Sequence, residues 1–503
     1  MTDELPMYLM NRVNMKRFGV LIALIVVQLG FGGVVTTSES AEAGFAPTQA
    51  PEIVAEEVII ETEPWNNGAG PSWDYGSRNI TRVGDTVFVS VSTPDPNSKP
   101  YHNVYWNLYR RINGGSWEKV ADAGVERERE PCPIVAMPDS MGTKRIVLST
   151  TPAVGVSGIH QDGAVETTHN EPRLLVFDAN APSSPPDTLM PAWDRSLGAS
   201  EHSYRGFATD GKTGALIVTQ QVRDETFQTW SQAFAYRGPS GGWDAHGILR
   251  FPMRGCYPAI AVQDRAVHVV AISDETEPNA AWREYKREVT GKYWDYDFRQ
   301  LFYTWTPDVT KREFSPPITV ASADETAGII RHTDIYVDDS GAAYAVYTER
   351  NVWHDFMRDR FFPGTPIHIA LKVAKLEKGR VTDRMTIMET VERTGDNGEE
   401  VTFDGPVPTW AVFHGTPDGR LFLIWHQSGD GDDAGMYIQR IGPDKDAEPV
   451  RIAVAHPLHQ FFNAAERAGA APSYTVDLVG HPADGTETLR YAQLRINDKL
   501  EQE

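Results

Sequence analysis

The stretch RGCYPAIAVQDRAVHVVAIS (254–273) contains two apolar runs of strand length, divided by the polar turn Gln263-Asp264-Arg265. Short runs rich in Val, Ile and Ala and bounded by turn residues read as paired strands rather than as a helix. The same unit, an apolar strand, a turn carrying Asp or Gly and a second, more apolar strand, returns along the chain. It is found again in SRNITRVGDTVFVSVS (77–92), PCPIVAMPDSMGTKRIVLST (131–150), YRGFATDGKTGALIVTQQ (204–221), RHTDIYVDDSGAAYAVYTE (331–349) and PTWAVFHGTPDGRLFLIWHQ (408–427). In several copies a second hairpin follows, as in YWNLYRR-INGG-SWEKVA (105–121) and IHIALKVAKLE-KGR-VTDRMTIM (367–388). Each copy is then a four-stranded antiparallel meander with a period of roughly 40 to 60 residues.

A repeat of this kind is the signature of a β-propeller, whose blades bury their faces only against neighbouring blades around a central channel. A weaker seventh unit is assembled from SYTVDLVG (473–480) and LRYAQLRI (489–496). VAEEVIIET (54–62) supplies its outer strand and so closes the ring, hiding sheet edges that would otherwise template aggregation. The expectation is an all-β chain of seven four-stranded blades filling residues 53–497 as one domain, with six blades or two packed β-sandwiches as alternatives. From residue 71 onward no stretch longer than about two turns carries a helical apolar period.

Composition agrees with that reading, because 42 Gly, 34 Pro, 13 Trp and 18 Tyr supply turns and β-prone aromatics. Against 69 Asp and Glu stand 47 Lys and Arg, a net charge of −22 that gives no electrostatic reason to expect nucleic acid or an anionic bilayer as partner. There is no P-loop, no dinucleotide fingerprint after a strand, no G-x-S-x-G and no zinc-type His/Cys spacing.

Met15-Lys16-Arg17 precedes the apolar run FGVLIALIVVQLGFGGVV (18–35), and the polar stretch after it ends in Ala41-Glu42-Ala43. This order is that of a signal peptide over residues 1–43, and a secreted or periplasmic protein is expected. The rival reading is a retained anchor, since the run approaches the ~20 residues that span a bilayer. Cleavage after Ala43 removes 3 basic and 4 acidic residues and leaves a net charge of −21. Residues 44–52 read as a linker and 498–503 as a polar tail. Cys132 and Cys256 are the two cysteines, and they either pair or remain buried thiols.

In a propeller the connection leading into each innermost strand shares a face with the loop between the second and third strands. Three of those loops are long, 151–170, 273–298 and 349–365, and long loops on a rigid scaffold usually carry function. Aligned copies place Arg78, Glu128-Arg129-Glu130, Tyr204-Arg205, Arg254 with Tyr257, Arg331-His332 and Thr409-Trp410 at the leading ends of the inner strands. Five of these six positions bring an Arg to one mouth. Guanidinium groups gathered in an acidic protein point to an anionic ligand, and Arg rather than Lys points to a planar, bidentate one such as a carboxylate or sulfate on a sugar. The opposing reading is local neutralisation: Glu128 and Glu130 flank Arg129, and Asp334 follows Arg331.

The stacked Asp- and Gly-bearing turns, the hairpins ending in NGGSW (113–117) and PSGGW (239–243), and the Arg-bearing mouth resemble the sialidase superfamily of BNR-repeat propellers. The resemblance covers residues 71–497, although no hairpin keeps a complete S-x-D-x-G-x-T-W. It implies a carboxylate clamp of Arg205, Arg254 and Arg331, while Arg78, Arg129 and Trp410 are further substrate contacts expected from their place at the leading ends of the inner strands. It also implies a nucleophilic Tyr, drawn from Tyr204, Tyr257 and Tyr347, beside Glu201 or Glu349. A sialidase-like glycosidase is the leading reading; as the alternative, the architecture also resembles the propeller polysaccharide lyases, ulvan lyases among them, which cleave uronate chains by β-elimination. That chemistry implies a set drawn from His332, His202, His169, His354, Tyr204 and Tyr257. A propeller that binds glycan or protein without cleaving it is the third reading.

The expected partner is an acidic oligo- or polysaccharide, and the protein itself is expected to be a monomer. No cofactor is expected, with Ca²⁺ at the acidic loop SGDGDDAG (428–435) as the alternative. Trp282, Tyr285, Tyr293, Trp294 and Tyr296 form an aromatic insert that either stacks on sugars or packs on its own blade.

Overall fold

A computed structural model of the chain describes residues 49–496 apart from 64–72, 74, 76, 96–101, 140, 156–157, 160–164, 167–168, 200–203, 225–228, 292–295, 394–401, 404, 430 and 443–446. The expected signal peptide and tail, Glu201, His202, Tyr293 and Trp294, and the side chains of His169 and Tyr296 lie outside the described residues.

Seven antiparallel sheets of four or five strands form the blades, beside three two-stranded pairings among the described residues, and in blades 1 to 6 the strand order follows the chain from the channel outward. Blades 1 to 6 begin with the inner strands Ile80–Val83, Ile134–Pro138, Arg205–Thr209, Gly255–Gln263, Ile329–Val337 and Val407–Gly415. These first strands touch one another around the ring. The period-2 pattern of each strand turns one row of side chains to each neighbouring blade, so the core is divided into layers between blades. One such layer packs Ile217, Phe234 and Tyr236 of blade 3 against Ile260, Val262, Val267 and Val269 of blade 4. The chain is a seven-bladed β-propeller.

Blade 7 is built from both ends of the chain. Glu52–Glu61 pairs antiparallel with Thr488–Arg495, which pairs with Thr475–Gly480. Its inner strand is only Asn463–Ala464, too short to be seen as a pattern in the sequence. The segment after it crosses the far end of the channel. Thr81 Oγ1 donates to the Ala468 carbonyl (2.8 Å), Ser473 N donates to the Gly415 carbonyl (3.2 Å) and His414 Nε2 lies 2.7 Å from the Ser473 carbonyl.

Two helices stand where the sequence offered no helical period. Helix α1 (Ala280–Thr290) lies in the blade 4 loop, capped by Asn279 Oδ1 on Ala281 N and Trp282 N and ended by Gly291 in the left-handed region. Helix α2 (Asp355–Phe361) lies in the blade 5 loop. They pack together through Trp282, Tyr285, Phe356, Phe361 and Phe362, so the described part of the aromatic insert packs on its neighbouring loop, with Arg299 of its own blade over the Trp282 ring. The blade 2 loop pairs with itself, Ala153–Gly155 with His169–Asn170 and Gly158–Ile159 with Val165–Glu166.

Gly469 makes the channel crossing possible. Its φ is +87°, and a Cβ there would sit 2.0 Å from the Ala136 carbonyl oxygen. Gly364 has nearly the same φ, +80°, with nothing within 4 Å. Gly364→Ala should therefore cost about 1 kcal/mol, the left-handed penalty alone. Gly469→Ala should cost about 3 kcal/mol through the added clash. Urea unfolding of the two variants measures the difference, and equal costs would show that the crossing segment yields.

Candidate functional site

The leading ends of the inner strands converge at one mouth, and in blades 4, 5 and 6 each carries a register shift there. The shifts fall between Cys256 and Ala259, His332 and Asp334, and Pro408 and Trp410. An extra residue re-aims the side chains around it. Tyr257 sits inside the first of these bulges with φ +51°, and Phe461, just ahead of the blade 7 inner strand, has φ +61°. Aromatic residues in the left-handed region are strained by about 1–3 kcal/mol, a strain that gathers at functional sites.

An aromatic cluster fills the axis. Tyr75, from the connection between blades 7 and 1, has its ring centroid 4.5 Å from Tyr257, 5.3 Å from His332, and 5.5 Å from both Trp410 and Phe461. Trp73 lies 5.0 Å from Phe461 and 6.2 Å from Tyr257, and Tyr204 meets Tyr257 edge to face at 4.6 Å. Trp73 and Tyr75 were missed in the sequence. The only signal for them is two aromatics in PSWDYGS (71–77), just before an inner strand.

The mouth arginines are met by acids for the most part. Arg78 is fully buried, in an ion pair with Asp334 of blade 5 and donating to Asn463 Oδ1 of blade 7 at 2.7 Å. Arg205 donates to Thr151 Oγ1 (2.8 Å) and the Pro131 carbonyl (2.9 Å), and lies 3.8 Å from Glu128. Arg254 donates to Gln221 Oε1 (3.0 Å), lies 3.6 Å from Asp274, and stands over the rings of Tyr204 and Trp230. Arg129 is buried. Local neutralisation thus holds for Arg78, Arg205 and Arg254, with acids reaching them from connections and from across the ring.

Arg331 differs. It is half-buried, has no acid partner among the described residues, and its buried Nε has no acceptor. Its charge acts on the Tyr75 hydroxyl, which burial pushes well above the usual phenol range while Arg331 pulls it back. That hydroxyl is itself buried without a hydrogen-bond partner. Burial likewise raises the hydroxyls of Tyr204 and Tyr257, with Glu130 and Asp274 adding to the rise. The structure thus places Tyr204, Tyr257, His332 and Trp410 at the mouth, together with Glu130. Tyr347 and Glu349 are not brought there. Tyr347 bonds to Arg384 of the outer strand and Glu349 pairs with Lys372 at 3.0 Å.

Both cysteines are buried free thiols. Cys132 lies 3.6 Å from Arg205, and Cys256 donates to Asp274 Oδ2 at 2.8 Å. Burial pushes each thiol up, so neither is a poised nucleophile. Asp430 lies outside the described residues, and among the described residues no group of three or more His, Cys, Asp or Glu side chains converges on a metal position.

No family model matches the chain, and no curated protein matches its sequence. Solved structures similar to it include an alpha-L-arabinanase of Penicillium chrysogenum, at 11% identity and a TM-score of 0.38, covering 90% of this chain and 100% of that one. The polysaccharide lyase Uly1 is similar at 10% identity and a TM-score of 0.39, with 90% and 100% covered. A Synechocystis apocarotenoid oxygenase is similar at 10% and 0.43, with 86% and 87% covered. No sialidase-type feature follows from these similarities.

Glu128 makes the mouth sensitive to pH. Burial outweighs Arg205 and the Thr151 N–H, and lifts its carboxyl to about 7 from the ordinary 4.5. A carboxyl raised on folding keeps its proton in the native state where the unfolded chain has released it, so its contribution is complete below pH 4.5 and is lost as pH rises to about 7. Glu128→Gln should flatten the decline in unfolding free energy across that window. An unchanged slope in chemical denaturation would assign the decline to other groups.

Proposed function

We propose that this chain is an exported carbohydrate-active propeller whose mouth binds an acidic glycan, with a sugar carboxylate held by Arg331. The observation that carries the reading is the guanidinium of Arg331, without an acid partner among the described residues, beside the orphaned hydroxyl of Tyr75. A buried donor without an acceptor costs about 1–3 kcal/mol, and a carboxylate recovers that cost by accepting from both groups. Half-buried Phe461, Phe298 and Trp230 around the mouth offer ring faces to sugars. Export rests on the order of basic, apolar and small residues before Ala43, and a monomer needs no further surface.

Tyr257 favours cleavage as a second reading. It combines a strained backbone with a mouth position. Its raised pKa opposes attack as a phenolate and suits donation of a proton to a leaving oxygen. Support therefore goes to β-elimination over a tyrosine nucleophile. Arg331 neutralises the uronate carboxylate, which acidifies the adjacent C–H. A base, for which His332, 5.3 Å from Tyr75 between ring centroids, is the candidate, takes that proton. The C–H electron pair forms the C4–C5 double bond, the bond to the glycosidic oxygen breaks, and that oxygen takes the Tyr257 proton.

Incubation with uronate polysaccharides tests both readings. A rise in ultraviolet absorbance from the new double bond indicates elimination, reducing ends without it indicate hydrolysis, and binding without either product leaves a recognition module. Arg331→Ala should weaken uronate binding in calorimetry by about 1.5–3 kcal/mol, the value of a charge-assisted hydrogen-bonded pair. Wild-type affinity in that variant would overturn the carboxylate assignment.

A further inference from the structure

The layer between blades 1 and 2 is apolar over most of its depth, where Phe88 and Leu108 of blade 1 pack against Ile134, Ile146 and Leu148 of blade 2. Strand alternation carries the same two faces on toward the mouth. Ser90 and Ser92 follow Phe88 along the second strand of blade 1 (Thr86–Pro94), and Thr150 follows Leu148 along the second strand of blade 2 (Lys144–Thr150). Ser92 lies directly opposite Trp106, which belongs to the same layer. Ser90 N donates to the Asn79 carbonyl at 2.8 Å, which sets Asn79 opposite Ser90. The two blades touch at this level, since Ile134 N donates to the Arg78 carbonyl at 2.8 Å.

Five side-chain atoms at this end of the layer are buried without a hydrogen-bond partner among the described residues: Asn79 Oδ1, Ser90 Oγ, Ser92 Oγ, Trp106 Nε1 and Thr150 Oγ1. None of the five residues is more than 3% exposed. A buried polar atom without a partner is costly, and folded interiors leave few of them. The groups just beside them are satisfied. Thr151, which alternation turns to the opposite face, accepts from Arg205 Nη1 at 2.8 Å and donates through its N–H to Glu128 at 2.9 Å. Glu128 in turn is hydrogen-bonded to Cys132 of the layer. The unpartnered atoms are therefore gathered at one end of one layer, beside a carboxyl that is itself fully buried.

The mixture of donors and acceptors defines what binds. An indole N–H only donates, an amide oxygen only accepts and hydroxyls do both. A cation would face the indole N–H, and an anion would face the Asn79 oxygen and the Glu128 carboxyl. A small neutral molecule that donates and accepts matches all five. We infer that ordered water binds at the mouth end of the layer between blades 1 and 2, accepting from Trp106 Nε1, donating to Asn79 Oδ1 and linked through the hydroxyls of Ser90, Ser92 and Thr150. Water held by about three hydrogen bonds is a fixed part of a fold, and a bridge through it is nearly as good as a direct bond. Here it joins blade 1 to blade 2 beside Glu128, and it does not depend on what the mouth binds.

Thr150→Val removes a hydroxyl while keeping the side-chain shape, and Ser92→Ala removes one with the smallest loss of volume. Urea unfolding of the full chain reads the sign of each change. With water bound, either variant breaks the network and should lower the folding equilibrium constant by about two- to tenfold, the worth of one hydrogen bond. With the hydroxyls left unpartnered in the native protein, the same variants delete a buried polar atom and raise that constant. A raised or unchanged constant in either variant overturns the site. A high-resolution crystal structure of the unaltered chain provides the second measurement. It should show water about 2.7–3.2 Å from Trp106 Nε1 and from at least one of the three hydroxyls. Direct hydrogen bonds among the five side chains, with no water between them, overturn the site even where the variants lose stability.

Discussion

A four-stranded sheet with two apolar faces is not stable alone in water, and here each face is covered only by the next blade. The ring has to close, and closure is made by Glu52–Glu61 pairing with Thr488–Arg495. Everything at the axis follows from it. Arg78 and Asp334 are far apart in the chain and meet because blades 1 and 5 share one centre. A buried ion pair repays its desolvation only when its remaining donors and acceptors are used. Asp334 also accepts from Ile335 N and Phe413 N, and Arg78 also donates to Asn463, so the pair ties blades 1, 5, 6 and 7 together.

The same geometry explains why most mouth arginines are unavailable to a ligand. Inner strands converge, so any acid at the head of one blade lies within reach of its neighbours. Glu128 comes from the connection into blade 2 and serves Arg205 of blade 3, and Asp274 follows the second strand of blade 4 and serves Arg254. Arg331 is left over because the acid nearest in sequence, Asp334, lies beyond a bulge and is turned toward Arg78. One backbone irregularity thus separates an arginine paired across the ring from one without an acid partner among the described residues.

Blades were legible in the sequence wherever strands run five residues or more, because period-2 burial and Asp- or Gly-bearing turns repeat there. The inner strand of blade 7 was not, since Asn463–Ala464 is too short to carry a period. Helix α1 was hidden for a different reason: the face it buries includes Lys286, whose charge is satisfied by Glu277 from outside the helix, so its apolar stripe is broken in the sequence. The mouth arginines were legible as positions but not as pairs, because the acids that meet them are set by ring closure rather than by local order. Tyr347 and Glu349 follow from register alone. One alternation along the second strand of blade 5 turns both toward Lys372 and Arg384 and away from the channel. Tyr75 lies in an unpatterned connection, where only topology reveals that the chain must pass over the axis.

Closure at both ends makes the axis a packed site rather than a passage. The segment through Ala468 and Gly469 crosses the far end, and Trp73, Tyr75 and Phe461 fill the near one. Low polarity has two effects that act in the same direction. It strengthens the attraction between Arg331 and any carboxylate that reaches it. It also holds the hydroxyls of Tyr75, Tyr204 and Tyr257 in their protonated form, so that they remain donors. On the proposed reading, donors that stay neutral beside an unpaired positive charge favour an anionic ligand, because a neutral one would leave that charge unmatched.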